Sequence, residues 1–247
     1  MILNYCLYAF LGLLPSLLWL FFYLRQDVHP EPKKEILLVF LGGALMGPIA
    51  VLLQMAALKL CAPEVRWPNL LAALGQNQNL FLLNVLLFAP LTEEFLKYSV
   101  VRWRILKNPA FDEPLDAMIY LIVSALGFAA TENMLNIFFL AGITPKLALA
   151  QASARFLSAT LLHTLASGLL GYFIAYSLIH LKYRRWIFLS GLLLAVTFHS
   201  VYDYLAWLLE SNDAFLFLLI ALLALMALIV RWQFHYLKKR LAICRFR

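Results

Sequence analysis

Charge is what this sequence lacks most. Asp, Glu, Lys and Arg make up 13% of its 247 residues, about half of the ~25% usual in a soluble domain. Polar stretches long enough to fold alone are missing between its hydrophobic runs. A soluble fold is therefore excluded, and so is a soluble domain hung on one anchor. Cysteine is scarce too. Cys6, Cys61 and Cys244 show no paired or metal-type spacing, which excludes a disulfide scaffold and a thiolate metal site; free thiols are expected. No HExxH occurs, so a zincin helix is absent. No GxSG occurs for a serine nucleophile of the rhomboid type. No GxGD occurs, and Asp203 is the lone Asp deep in an apolar run, so a two-aspartate mechanism lacks its second acid.

What fills the chain is apolar: 64% of residues are hydrophobic and the mean hydropathy is +0.84. Runs of about 20 apolar residues can each cross a hydrocarbon core of about 30 Å. Such runs lie at 3–24, 36–58, 79–101, 116–140, 147–180, 186–209 and 214–234. An all-α, polytopic transmembrane helix bundle of seven spans is expected, with 1–247 as one transmembrane domain and the bilayer as its surroundings. The first run lacks the basic lead, the short length and the small-residue close of a cleaved signal. Asp112-Glu113-Pro114 suits the start of the fourth span.

The net charge of +7 belongs to topology and not to a nucleic acid, which is not expected as a partner. One set of loops carries Arg25, Lys33, Lys34, Arg102, Arg104, Lys107, Lys182, Arg184, Arg185, Arg231, Lys238, Lys239, Arg240, Arg245 and Arg247. The opposite face carries Lys59, Arg66 and Lys146. Basic residues favour the cytoplasm, so an outside N-terminus and an inside C-terminus are expected.

Four consecutive spans hold polar residues that lipid does not tolerate. The third holds Glu93, Glu94 and Lys97; the fourth Glu132, Asn133 and Asn136; the fifth Arg155 and His163; the sixth His199 and Asp203. Each charge costs at least about 2.5–3.5 kcal/mol at a helix centre, which makes it a functional candidate by default. Counted along each helix, they fall in one mid-membrane layer. Glu93 with Lys97, and His199 with Asp203, are spaced i,i+4 and share a helix face. Asp203 is a natural orienting partner for the His199 imidazole. Each also has a plain structural reading. Glu93 and Lys97 can be a packing ion pair, Arg155 a counter-charge for Glu132 or Glu94, and Asn136 a bond between helices.

Carboxylates and imidazoles together suit hydrolysis. A Glu takes a proton from water while His or Asn donors hold the oxyanion that forms. The residues leave a metal open as well. Glu132, His163 and His199 are a workable ligand set for a divalent ion such as zinc, with Glu93 or Glu94 as base. Residue types alone do not separate the two.

Glu93-Glu94-x-x-Lys97, FDEPLDAMIY at 111–120 and GFAATEN at 127–133 resemble signatures of the PrsW family of intramembrane proteases. His163 with Gly168 and Gly171, and His199-x-x-x-Asp203, resemble its two later histidine motifs. The match covers about residues 90–204, inside a motif-bearing core of 79–209. The resemblance implies a glutamate-dependent endopeptidase of a bacterial cell membrane, distantly similar to CAAX prenyl proteases and to the Aph subunit of gamma-secretase. It implies Glu93, Glu94, Glu132, His163 and His199 as catalytic, supported by Lys97, Asn133 and Asp203. It also implies a single-pass membrane protein as substrate, such as an anti-sigma factor receiving its first cut on the extracytoplasmic side. Ala117 and Leu121 depart from the family's usual glycines. A non-catalytic scaffold and a proton- or ion-coupled transporter are the competing readings. Against transport, the chain shows no inverted repeat and no matched pair of broken helices.

Overall fold

In a membrane a helix satisfies its own backbone, so every apolar run is pushed towards helix. A computed structural model describes residues 2–27, 29–140 and 142–239. The helices are α1 (Ile2–Leu24), α2 (Lys33–Cys61), α3 (Leu70–Gln76), α4 (Gln78–Leu83), α5 (Ala89–Arg104), α6 (Asp116–Phe138), α7 (Pro145–Leu157), α8 (Ala159–Ile179), α9 (Arg184–Leu209) and α10 (Phe215–Lys238). Seven segments are long and apolar enough to span: Asn4–Leu24, Lys33–Cys61, Gln78–Arg104, Asp116–Phe138, Pro145–Ile179, Leu181–Leu209 and Phe215–Lys238. The seven-span expectation holds, with ends moved by a few residues. Cys6 and Cys61 are free and exposed. Cys244, Arg240, Arg245 and Arg247 lie outside the described residues.

The fourth span begins at Asp116, as expected, with Asp112-Glu113-Pro114 in the turn ahead of it; Asp116 Oδ2 accepts from the backbone N–H groups of Asp112 (2.9 Å) and Glu113 (2.8 Å). Two local features differ from expectation. The fifth span is two helices. Thr144 caps α7 by accepting from the Leu147 N–H at 3.2 Å, with Pro145 in the first turn. The chain then breaks at Ser158 (φ −121°, ψ −98°) before α8 starts. The third span also changes pitch, passing through a wide π-type turn at Asn84–Phe88 ahead of α5. Such turns cluster at functional sites.

α6 runs up the middle, touching α1, α2, α5 and α8, while α8 also meets α9 and α10. Most of α6 and α8 is buried. The outer helices instead expose residues such as Leu52, Leu193 and Phe217, as expected where lipid tails cover the surface. At the end of the bundle holding Glu31, Tyr120 Oη donates to Glu31 Oε2 at 2.6 Å. Burial, more than the neighbouring Asp116, pushes the Glu31 carboxyl up to about 9. Nearby, Arg104 Nε lies 2.8 Å from Glu35 Oε2. These contacts tie the α1–α2 turn to α5 and α6.

α2 and α6 cross backbone on backbone. A Cβ on Gly43 would stand 2.0 Å from the Ser124 carbonyl oxygen, and one on Gly127 would stand 1.9 Å from that of Phe40. Small residues permit this approach. Gly127→Val is therefore expected to separate the two helices and cost about 1–3 kcal/mol or more. Thermal unfolding in detergent should show a lowered midpoint for Gly127→Val, and none for Gly75→Ala, where a Cβ meets nothing within 4 Å. Equal midpoints for Gly127→Val and wild type would contradict the close crossing.

Candidate active site

The π-type turn and α5 carry Glu93, Glu94 and Lys97 into the bundle. One turn of helix separates Lys97 from both acids, so its ammonium serves both. Lys97 Nζ is 2.8 Å from Glu94 Oε1 and 3.8 Å from Glu93 Oε2. Lys97 and Glu94 are fully buried. A buried charge survives only with close partners, and each finds them on other helices.

Glu94 is saturated. Its Oε1 takes Lys97 Nζ and His199 Nδ1 (2.9 Å), and its Oε2 accepts from Ser167 Oγ at 3.0 Å. His199 on α9 points its other nitrogen, Nε2, towards Asp203 Oδ2 at 3.5 Å.

His163 on α8 stands between two charged groups. Lys97 Nζ is 2.8 Å from its Nδ1, and Glu132 Oε2 is 2.6 Å from its Nε2. An ammonium only donates and a carboxylate only accepts. Nδ1 therefore accepts, and the ring proton sits on Nε2. Glu132 Oε1 in turn lies 2.7 Å from Arg155 Nη2. Arg155 Nε donates to Asn133 Oδ1, and Asn133 Nδ2 donates to Thr160 Oγ1 at 3.0 Å. The break at Ser158 separates Arg155 from the helix of His163, yet both reach Glu132.

Glu93 is different. Its Oε1 accepts from Gln54 Nε2 of α2 at 3.3 Å. Its Oε2 is buried and has no hydrogen-bond partner among the described residues. That oxygen faces His199 Nε2 at 3.7 Å, Lys97 Nζ at 3.8 Å and His163 Nδ1 at 4.0 Å. An uncommitted carboxylate oxygen ringed by three nitrogens is chemically poised. The gaps are too long for direct bonds.

The same three residues meet the test for a divalent ion. Glu93, His163 and His199 each offer a ligand atom within 4.8 Å of the others. One carboxylate and two imidazoles leave a position open for water, as in catalytic zinc sites, and bonds of about 2.0–2.2 Å can span such gaps. The orphaned Glu93 Oε2 supports the fit. Lys97 holds the His163 Nδ1 lone pair that such an ion would need. Of the ligands expected from sequence, His163 and His199 belong to this group, while Glu132 faces His163 Nε2 and Arg155.

All eight expected site residues thus fall in one connected network. Gln54, Ser167 and Thr160 were not anticipated. Ser167 had a signal, since it lies one turn from His163 and shares its face. Among the described residues Asn136 makes no bond to another helix: its Nδ2 donates to the Glu132 backbone carbonyl at 3.0 Å, inside α6.

Residues 31–230 match the model of a family described as PrsW family intramembrane metalloprotease. Protease PrsW of Geobacillus kaustophilus is 30% identical over 196 residues, covering 78% of this chain and 75% of that protein. Protease PrsW of Clostridioides difficile is 27% identical over 219 residues, covering 87% and 85%. Protease PrsW of Halalkalibacterium halodurans is 28% identical over 223 residues, covering 90% of each. No solved structure matches the chain.

Proposed function

This chain belongs to the PrsW family of intramembrane metalloproteases, and on that premise we propose that it cuts a single-pass membrane protein, such as an anti-sigma factor, near its outer membrane boundary. That it is a multi-pass membrane protease follows from the family and the seven apolar helices. The substrate, the side of access and the residue roles are our reading. The observation that carries it is Glu93 Oε2, a buried oxygen with no hydrogen-bond partner among the described residues, set between His163, His199 and Lys97.

In this reading Glu93 takes a proton from a water as the water's oxygen attacks the scissile carbonyl carbon. Lys97 and His199 hold the oxyanion that forms. The C–N bond then breaks, and the leaving nitrogen takes up the proton. Glu94 fixes Lys97 and His199, while Glu132 and Asn133, with Arg155, fix His163. A divalent ion such as zinc, when bound, supplies a polarised water of lowered pKa. Glu93, His163 and His199 would hold it. Either way Glu93 Oε2 sits at the reaction centre.

The peptide bonds of a spanning substrate are hydrogen-bonded within its own helix. Cleavage needs local unwinding and a path for water. Glu132, His199 and Asp203 lie in the halves of α6 and α9 that adjoin the α6–α7 and α9–α10 turns. With an outside N-terminus, those turns face the extracytoplasm. Water would enter there, and the unwound end of the substrate would be cut there. Reporter fusions after Arg185 and after Lys239 should both read cytoplasm, and a periplasmic signal at either overturns the orientation. The reading as a whole is tested with purified protein in proteoliposomes and a single-pass substrate. Mass spectrometry of the fragments should place the cut near the outer boundary, and a cut confined to the cytoplasmic side would refute the proposed access.

A further inference from the structure

A second built feature lies away from the catalytic network. α1 and α10 both pack on α8, and between them opens a cleft of about 550 Å³. Its floor is Leu161 and Leu165 of α8. These lie two residues either side of His163, about 200° round the helix, so the cleft backs onto the opposite face of the helix that carries the site histidine. Trp19 and Phe22 of α1 and Val230 of α10 form the apolar walls.

One end of the cleft is basic. Arg231, His235 and Lys238 line it from successive turns of α10, spread over roughly 10 Å of helix. Arg231 and His235 are exposed. Among the described residues that line the cleft there is no carboxylate. Lys238 has only the neutral Gln26 Oε1, at 3.3 Å. Arg231 and Lys238 lie in the last turns of α10, where long basic side chains reach the headgroup layer and attract anions. The cleft opens at the outside of the bundle, where its neighbours are lipids.

We infer that this cleft is a binding site for one anionic phospholipid, its acyl chain against Trp19, Phe22, Leu161, Leu165 and Val230 and its phosphate against Arg231, His235 and Lys238. An apolar body continuous with a cationic rim matches an amphipathic anion. It does not match an apolar helix of another protein, which would leave the rim unpaired. Basic pockets between spanning helices hold anionic headgroups by this chemistry.

The test is native mass spectrometry of the full chain, delipidated in detergent and titrated with phosphatidylglycerol or phosphatidylcholine. Phosphatidylglycerol should bind at least about tenfold more tightly, and an Arg231→Gln, Lys238→Gln double variant should remove about that preference. Ala227→Trp, which fills the cleft, should weaken both lipids while leaving the protein monodisperse. Glycerol phosphate without chains should not compete. Equal binding of the two lipids, or unchanged phosphatidylglycerol binding in both variants, overturns the site. So does Ala227→Trp abolishing self-association with lipid binding intact, because the cleft would then seat a second copy. The readout is binding and not cleavage, so the site stands or falls apart from the peptidase mechanism.

Discussion

Glu93→Gln is expected to lower the rate of substrate cleavage by about 10²–10⁴, the usual loss when a positioned general base is removed. The substitution keeps the shape of the side chain and leaves an amide oxygen to accept from Gln54 Nε2. It removes the carboxylate oxygen that stands 3.7–4.0 Å from His199, Lys97 and His163. Folding should be nearly unaffected, because that oxygen has no hydrogen-bond partner among the described residues to lose. The comparison is single-turnover cleavage in proteoliposomes, with thermal unfolding of the same preparations as control. Wild-type cleavage by a folded Glu93→Gln protein removes Glu93 from the reaction.

Lys97→Met is expected to fail for the opposite reason. Lys97 is wholly buried, 2.8 Å from Glu94 and 2.8 Å from His163. Its loss leaves the Glu94 carboxylate with His199 and Ser167 as its remaining partners and frees the Nδ1 of His163. Breaking a buried ion pair on one side typically costs about 3–5 kcal/mol. The unfolding midpoint should fall clearly, and cleavage should be lost with it. The double variant Lys97→Met, Glu94→Leu should recover part of the stability, because the orphaned charge is gone, and should remain inactive. If Lys97→Met alone unfolds like wild type, the ammonium is not what holds Glu94 in the core.

The two adjacent acids show how far sequence could go. Glu93 and Glu94 look alike in the chain, and their placement inside an apolar run marks both as expensive and therefore purposeful. Only the packing separates them. Glu94 turns into Lys97, His199 and Ser167, whereas Glu93 keeps one oxygen free. The spans were legible for a related reason, since in lipid the length of an apolar run almost dictates a crossing helix. Neutral polar residues carry no such penalty, which is why Gln54 and Thr160 gave no warning of their roles and Ser167 only its place one turn from His163. The break at Ser158 was hidden too. It contains neither Pro nor Gly, and at it the chain brings Arg155 onto Glu132 and Asn133 of a different helix. Local propensity cannot report a contact of that kind. The start of the fourth span at 116 was legible, but not the way it is held: Asp116 reaches back to accept from the N–H groups of Asp112 and Glu113.

In the proposed mechanism water is activated at Glu93 Oε2 and adds to a peptide carbonyl inside the bundle. The most direct measurement of this step is cleavage of a single-pass substrate in heavy-oxygen water by purified protein in proteoliposomes. The new C-terminal carboxylate is then weighed for wild type and for Glu93→Gln. Wild type should place one heavy oxygen in that carboxylate, and Glu93→Gln should yield almost no product over the same time. Equal labelled product from the two proteins, or a wild-type product without the heavy oxygen, would contradict the account.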